Sequence, residues 1–285
     1  MGFIKKLIIG LILVVMLFSG YFIYNLFQDK VEAAFLTIES GSAQVDRGDG
    51  WENAINNMGL KLNDKVKTID GVSVITFYES IIVELEADTE VVVSSLAKNK
   101  ISIKQEKGST WNKFTSIFGI ENYEVETPTT VATVRGTEFG VYYKETEDVV
   151  LTSEGKVDVR SLGNNILTEG FGKALRNENG LNSAEVTAGD KKIMLDKAKK
   201  TLERLKKLRE ITIEDNKDLI EKAIKLYGVS EGELKDYLEK IDSGEMDDAQ
   251  LIEKSPVKLP VMNKFKKFND EIKKQQELIK SLEIA

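Results

Sequence analysis

The fold this sequence predicts is a mainly β domain followed by an α-helical C-terminal region, with one N-terminal transmembrane helix. Three observations carry it. There is an uncharged run from Leu7 to Phe27, a series of short period-two segments from about residue 35 to 190, and a change of period to about 3.6 near Asp190.

The apolar run comes first in the chain. Leu, Ile, Val, Met and Phe fill nearly every position from Leu7 to Phe27, with Tyr21, Tyr24 and Asn25 toward its far end. A helix rises 1.5 Å per residue, so about 20 such residues cross a hydrocarbon core of roughly 30 Å. Lys5 and Lys6 precede the run, while Asp29, Lys30 and Glu32 follow it. That basic bias holds residues 1–6 in the cytoplasm, makes 7–27 a signal anchor and puts the bulk of the chain outside the cell membrane. The rival reading is a secretory signal cleaved after Ala33, at Val31-Glu32-Ala33, although the run is longer than a usual signal core. Both readings export the domain.

Residues 35–190 read as the β domain. Val72 to Tyr78, Ile82 to Leu85, Glu90 to Val93, Ile101 to Ile103, Tyr123 to Val125, Phe139 to Tyr143, Val149 to Leu151 and Val157 to Val159 alternate and are bounded by Gly, Asn and Asp. So many short strands predict a sandwich, barrel or roll. Residues 191–285 read as helical. Thr212 with Asp215 and Ser230 with Glu233 have capping-box spacing, Gly228 and Gly244 fit helix stops, and Pro256 with Pro260 reads as a hinge. The last helix carries a stripe of Val261, Phe265, Phe268, Ile272, Ile279 and Leu282, with Gln275 at its polar position. It either closes on the preceding helices or docks a partner chain.

Composition narrows the function. A net charge of −7 and a pI near 5.1 exclude non-specific nucleic-acid binding, which requires a basic surface. With no Cys and no His, the chain has no disulfide, no thiolate, no soft metal site and no imidazole base. No cofactor, no metal and no catalytic residue are therefore expected; a carboxylate-based hydrolase is the remaining enzymatic alternative.

The middle of the chain resembles the FecR domain family. Thr127-Pro128, then Val131, Ala132, Thr133, Val134, Arg135-Gly136-Thr137 and Phe139 are similar to the family's Thr-Pro run and its Val-Arg-Gly-Thr-x-Phe. Upstream, Gly41, Val45, Arg47, Trp51 and Ala54 resemble its opening strand, and Leu60, Asp64, Val66 and Thr68 its Leu-x-x-Gly-Asp-x-Val-x-Thr. Gly108, Trp111, Glu154-Gly155-x-Val157 and Ala188-Gly189 continue the likeness, which covers residues 36–190. Asn63 replaces a family glycine and tolerates a left-handed backbone, while Glu79-Ser80-Ile81 replaces an Asp-Gly-Ser turn. The best-studied relatives signal from an outer-membrane transporter to a cytoplasmic sigma factor through an N-terminal arm. Six residues before the apolar run are too few for that arm, so the resemblance implies a displayed domain without the sigma-regulating part.

Several residues invite a specific role. Arg135 lies in an apolar strand and needs a carboxylate; the expected partner is Asp64. Gly136 is expected to admit a neighbouring backbone. Arg47-Gly48-Asp49 reads as a turn, Asp46, Asp49 and Glu52 as its solvated acids, and Trp51 and Trp111 as plugs of a β core. Lys191, Lys192, Lys197, Lys199, Lys200, Arg204, Lys206, Lys207 and Arg209 face only Asp190, Asp196, Glu203 and Glu210, either as a solvated face or as a contact for an anionic surface. The expected function is a non-catalytic binding or scaffolding module for an envelope protein or polymer, the alternative being a relay to another membrane protein.

Overall fold

The computed structural model describes residues 33–115, 117–218, 231–243 and 260–284; the apolar run at 7–27, Gly228, Ser230, Gly244 and Pro256 lie outside them. No helix among the described residues is long and apolar enough to cross a membrane. Residues 33–285 form one compact unit.

All strands join one sheet, which is folded over on itself. The strands are β1 (Ala34–Asp46), β2 (Trp51–Asn53), β3 (Met58–Gly59), β4 (Lys65–Phe77), β5 (Ile81–Leu85), β6 (Thr89–Ala97), β7 (Lys100–Phe114), β8 (Tyr123–Glu126), β9 (Val131–Val134), β10 (Glu138–Lys144), β11 (Glu147–Glu154), β12 (Lys156–Ser161), β13 (Asn164–Glu169), β14 (Gly172–Asn177) and β15 (Gly180–Ser183). Each of the eight alternating segments lies in one of these strands, Tyr78 excepted. The helices are α1 (Ala188–Asp215), α2 (Glu231–Ser243) and α3 (Pro260–Ile284).

Three long strands serve both halves of the sheet. The first part of β4 pairs with β6 and its last part with β5. Likewise β7 pairs with β6 and, in parallel, with β8 over its first part, then with β5 and β10 over its second. The change of partner falls at glycines with left-handed φ: Gly41 (73°), Gly71 (73°) and Gly108 (87°). Gly41 and Gly71 face each other across the β1–β4 ladder. A Cβ on either would lie inside van der Waals contact of backbone on the opposing strand. Glycine is thus required twice over at this crease, for conformation and for space.

Folding at the crease stacks the two halves around the main core, which includes Leu36, Val66, Phe77, Val91, Ile103, Tyr123, Phe139 and Val157. One half is covered on its outer face by α1 and α3. Val74, Ile82 and Ile117 pack against Leu205, Leu208, Phe268 and Ile272, and Trp111 and Leu151 against Met194, Ala198, Ile279 and Leu282. Among the described residues no helix covers the outer face of the other half, which carries charge pairs such as Lys100–Glu124 at 2.9 Å and Arg160–Asp158 at 2.5 Å.

One helix expectation changes. The N-cap is Thr187, whose hydroxyl accepts from the Asp190 N–H at 3.1 Å while the Asp190 carboxylate accepts from the Thr187 N–H at 2.8 Å. Thr212 starts no helix; it lies inside α1, its hydroxyl donating to the Leu208 carbonyl at 3.0 Å. Pro260 is the first residue of α3, where its missing N–H costs nothing, while Pro256, the other half of the expected hinge, lies outside the described residues.

Candidate binding site

The Thr-Pro run is a turn between β8 and β9, and a carboxylate from the other half of the sandwich holds it. Asp148 of β11 is 1% exposed, and its Oδ2 accepts from the hydroxyls of Thr127 (3.0 Å), Thr129 (2.5 Å) and Thr130 (2.8 Å). The Thr127 hydroxyl in turn accepts from the Thr130 N–H at 2.8 Å. One buried acid therefore ties the two layers at this end. Asp148→Ala is expected to lower the stability of residues 33–285 by about 2–3 kcal/mol in urea denaturation, because it strands buried hydroxyls.

Beside this turn lies an open cleft of about 440 Å³, lined by residues 126–131 and by the tip of the β12–β13 hairpin, residues 160–165. Leu162 stands at that tip, 92% exposed and with φ of 44°. A two-residue hairpin with positive φ at both central positions favours Asn-Gly, so leucine here is both strained and wasted on the fold. Arg160 adds a charge at the rim, its guanidinium raised in pKa first by its hydrogen bond to Asp158.

At its other end the motif behaves differently from expectation. Arg135 does not meet Asp64. It is exposed, and its Nε donates to the Glu121 carbonyl at 3.4 Å, whereas Asp64 is buried, accepts from the Lys61 N–H at 2.9 Å and has the Arg47 Nε at 3.5 Å. β9 ends at Val134 and β10 begins at Glu138, so Arg135 lies in the turn between them and its side chain leaves the core. Gly136 has open space at its Cβ and is needed for its φ of 63°; the close approach is at Gly155, whose Cβ would meet the Gly136 carbonyl oxygen at 2.6 Å. Thr137 is buried, donating to the Lys156 carbonyl at 3.2 Å, and Phe139 is in the main core. Pro128 lines the cleft. Asn63 takes the left-handed conformation expected, with φ of 70°.

Trp111 is buried, but at the seam between sheet and helices, where its Nε1 donates to Glu138 at 2.8 Å. Trp51 is no core plug: it is 39% exposed, with Lys67 Nζ 5.8 Å from its ring centre. Asp46 closes the Arg47-Gly48-Asp49 turn by accepting from the N–H groups of Gly48 and Gly50, and these bonds, Gly48 first, hold its pKa down.

The seam contains the residues that sequence reasoning missed. Glu84 of β5 is fully buried, and Arg204 (2.5 Å) and Lys197 (2.5 Å) reach it from α1. Burial alone would push the Glu84 carboxyl up, but Arg204 and Lys197 together hold it below the usual carboxylate range. Arg204 also pairs with Glu39 at 2.6 Å, and Lys197 with Glu86. A second buried acid, Glu138, accepts from Trp111, from Thr201 at 2.9 Å and from Gln275 at 2.6 Å. The signal available was a glutamate interrupting Ile81-Ile82-Val83-Glu84-Leu85, which no solvent-facing alternation explains.

Two surface readings fall with this seam. Phe268, Ile272, Ile279 and Leu282 are buried against α1 and the sheet, Phe265 is half-buried, and the Val261 side chain is outside the described residues, so the stripe closes within the chain instead of docking a partner. The basic run loses Lys197 and Arg204 to Glu84, and Arg209 to Asp242 at 2.8 Å. What remains exposed on α1 is mixed in sign, Lys192, Lys199, Lys200 and Lys207 standing among Asp196, Glu203 and Glu210, so no anion-binding face is left there.

The geometry defines a folded-over β-sandwich with one face sealed by helices and a cleft at the crease end. Residues 64–158 match the family described as FecR protein. That match is narrower than the resemblance at 36–190, although β1 and β13–β15 are continuous with the same sheet. Two crystal structures of a candidate anti-sigma factor from Parabacteroides distasonis, at 2.50 Å and 1.65 Å resolution, are similar at 17% identity and a TM-score of 0.39. The matches cover 45% of this chain and 62% and 64% of those chains, less than two thirds of their length. No curated protein matches the chain.

Proposed function

We propose that this chain is a membrane-anchored FecR-domain protein with a regulatory role in signalling, acting by non-catalytic binding of a partner protein outside the membrane. The anchor is the run at 7–27, and the binding site is the cleft at residues 126–131 and 160–165. The carrying observation is Leu162, an apolar side chain held in solvent at a strained φ beside that cleft. Strain of this kind persists where function selects it. The Asp148 network supports the reading by giving the cleft a rigid floor.

The test separates fold from binding. Leu162→Asn relieves the turn, so its unfolding midpoint is expected to match or exceed that of the parent. A photo-crosslinker at Asn165 in the full chain, in native membranes, is expected to trap one defined envelope protein, and Leu162→Asn to cut that yield several-fold. An unchanged yield in the variant would sink the cleft as the binding site.

A relay through the membrane is favoured by one observation, that β1 starts at Ala34 and places Phe35 against the cluster shared with α1 and α3. Comparing partner capture by the full chain and by residues 33–285 tests it. Relay requires the native anchor, whereas simple binding survives its removal.

A further inference from the structure

We propose that the end of the domain where β1 begins binds phospholipid headgroups, seating the sandwich on the anionic surface of the bilayer that anchors it. This rests on the anchoring proposed above. The apolar run ends at Phe27 and β1 starts at Ala34, so residues 28–33 reach at most about 20 Å. Whatever surfaces surround Ala34 are thereby held close to the headgroups.

Those surfaces carry basic residues beside two half-buried aromatic rings, Tyr78 and Phe118. The Ala33 carbonyl accepts from the Tyr78 N–H at 3.2 Å, and Lys98 Nζ stands 5.6 Å from the Tyr78 ring centre. The Lys98 carbonyl accepts from the Glu121 N–H, and the Glu121 carbonyl from Arg135, so the exposed arginine of the family motif belongs to the same patch. Lys267 Nζ donates to the Ile117 carbonyl at 3.0 Å, one residue from Phe118. Lys98, Arg135 and Lys267 make no ion pair among the described residues. Of the acids here, Glu79 is engaged by Lys264 at 2.8 Å, while Glu121 and, three residues along α3 from Lys267, Asp270 are exposed.

The chemistry matches the ligand. A guanidinium with a free fork takes a phosphate oxygen pair, which a lysine cannot reproduce. Aromatic rings flanked by lysines suit the headgroup layer, where ring and ammonium find both apolar and charged surroundings. It also gives Arg135 a role that the interior of the fold does not supply. Its neighbours in the motif, Thr137 and Phe139, are buried, while the guanidinium stays in water.

The native chain has no cysteine, so single labels are clean. Full-length protein labelled at Asn99→Cys or Asn179→Cys is reconstituted in vesicles bearing a headgroup quencher. The vesicles are made of phosphatidylcholine alone or of phosphatidylcholine and phosphatidylglycerol in equal parts. Asn99 adjoins the patch. Asn179 follows β14 at the Gly108 end, as the Gly108–Tyr143–Asp148–Arg176 register places it. Quenching at position 99 is expected to exceed that at 179 several-fold in phosphatidylglycerol vesicles, and to fall with added salt. Joint Lys98→Glu, Arg135→Glu and Lys267→Glu is expected to remove the excess; the salt titration on the parent decides the matter if that variant does not fold. Quenching that ignores lipid charge and salt, in protein that resists alkaline extraction, overturns headgroup binding and leaves the anchor standing. Release by alkali overturns the anchor, and this proposal with it.

Discussion

Replacing Gly71 with alanine is expected to destabilise the domain by about 2–5 kcal/mol, measured by urea denaturation of residues 33–285. Two costs combine. An alanine at φ of 73° is strained by about 1–2 kcal/mol, and its methyl group would enter the Ser40 backbone across the ladder, an overpacking worth about 1–3 kcal/mol more. The opposing Gly41 makes the same contact with Asp70, so Gly41→Ala is expected to cost as much. Gly119→Ala is the control, since its φ is 68° but its Cβ would meet nothing within 4 Å; only the conformational cost of about 1–2 kcal/mol is expected. Equal losses at Gly71 and Gly119 would mean that conformation alone, and not close packing of the crease, sets the requirement.

Glu84→Ala is expected to cost about 3–5 kcal/mol, because it leaves Lys197 and Arg204 as cations against a buried strand with their main counter-charge gone. Replacing all three together, by Glu84→Leu, Lys197→Met and Arg204→Leu, is expected to recover most of that loss, since a packed apolar seam avoids the desolvation of charge. The pH dependence follows from the same cluster. The Glu84 pKa is lower in the folded state than in the unfolded chain, so its stabilisation is fully present above the ordinary carboxylate range. It is lost as the pH falls through the lower folded value. The parent is therefore expected to lose more stability on acidification than the triple variant, with hydrogen exchange rising first in α1 and α3. A triple variant with the parent's acid sensitivity would place the effect at other carboxylates, Asp190 among them, whose pKa is also lowered.

Much of the β layer was readable because alternation reports one buried face. Val72, Ile101, Tyr123 and Val157 all lie in strands for that reason, and the change of period near Asp190 falls in the first turn of α1. The reading failed where a spacing had two physical meanings. Thr187 and Thr212 both precede an aspartate by three residues, yet only Thr187 has free N–H groups ahead of it to cap; Thr212 sits where its own helix supplies the Leu208 carbonyl. The stripe of α3 was legible as an apolar face, but an apolar face does not name what covers it.

Arg135 and Glu84 show the same limit from opposite sides. A lone charge in an apolar stretch predicts a partner, and for Glu84 that holds, although its partners lie more than a hundred residues away on α1. For Arg135 it does not, because the chain turns at Gly136 and releases the guanidinium to solvent.

By itself, then, the sequence determined what is local: the uncharged run at 7–27, the alternation of the strands, the left-handed turn at Asn63 and the motif that resembles the FecR family. Only the tertiary structure decided which sheet face is sealed by helices, where the three glycines crease the sheet, and which basic residues are spent on Glu84. Those outcomes depend on contacts between segments distant in the chain, and period and spacing carry no record of which distant face a side chain will meet.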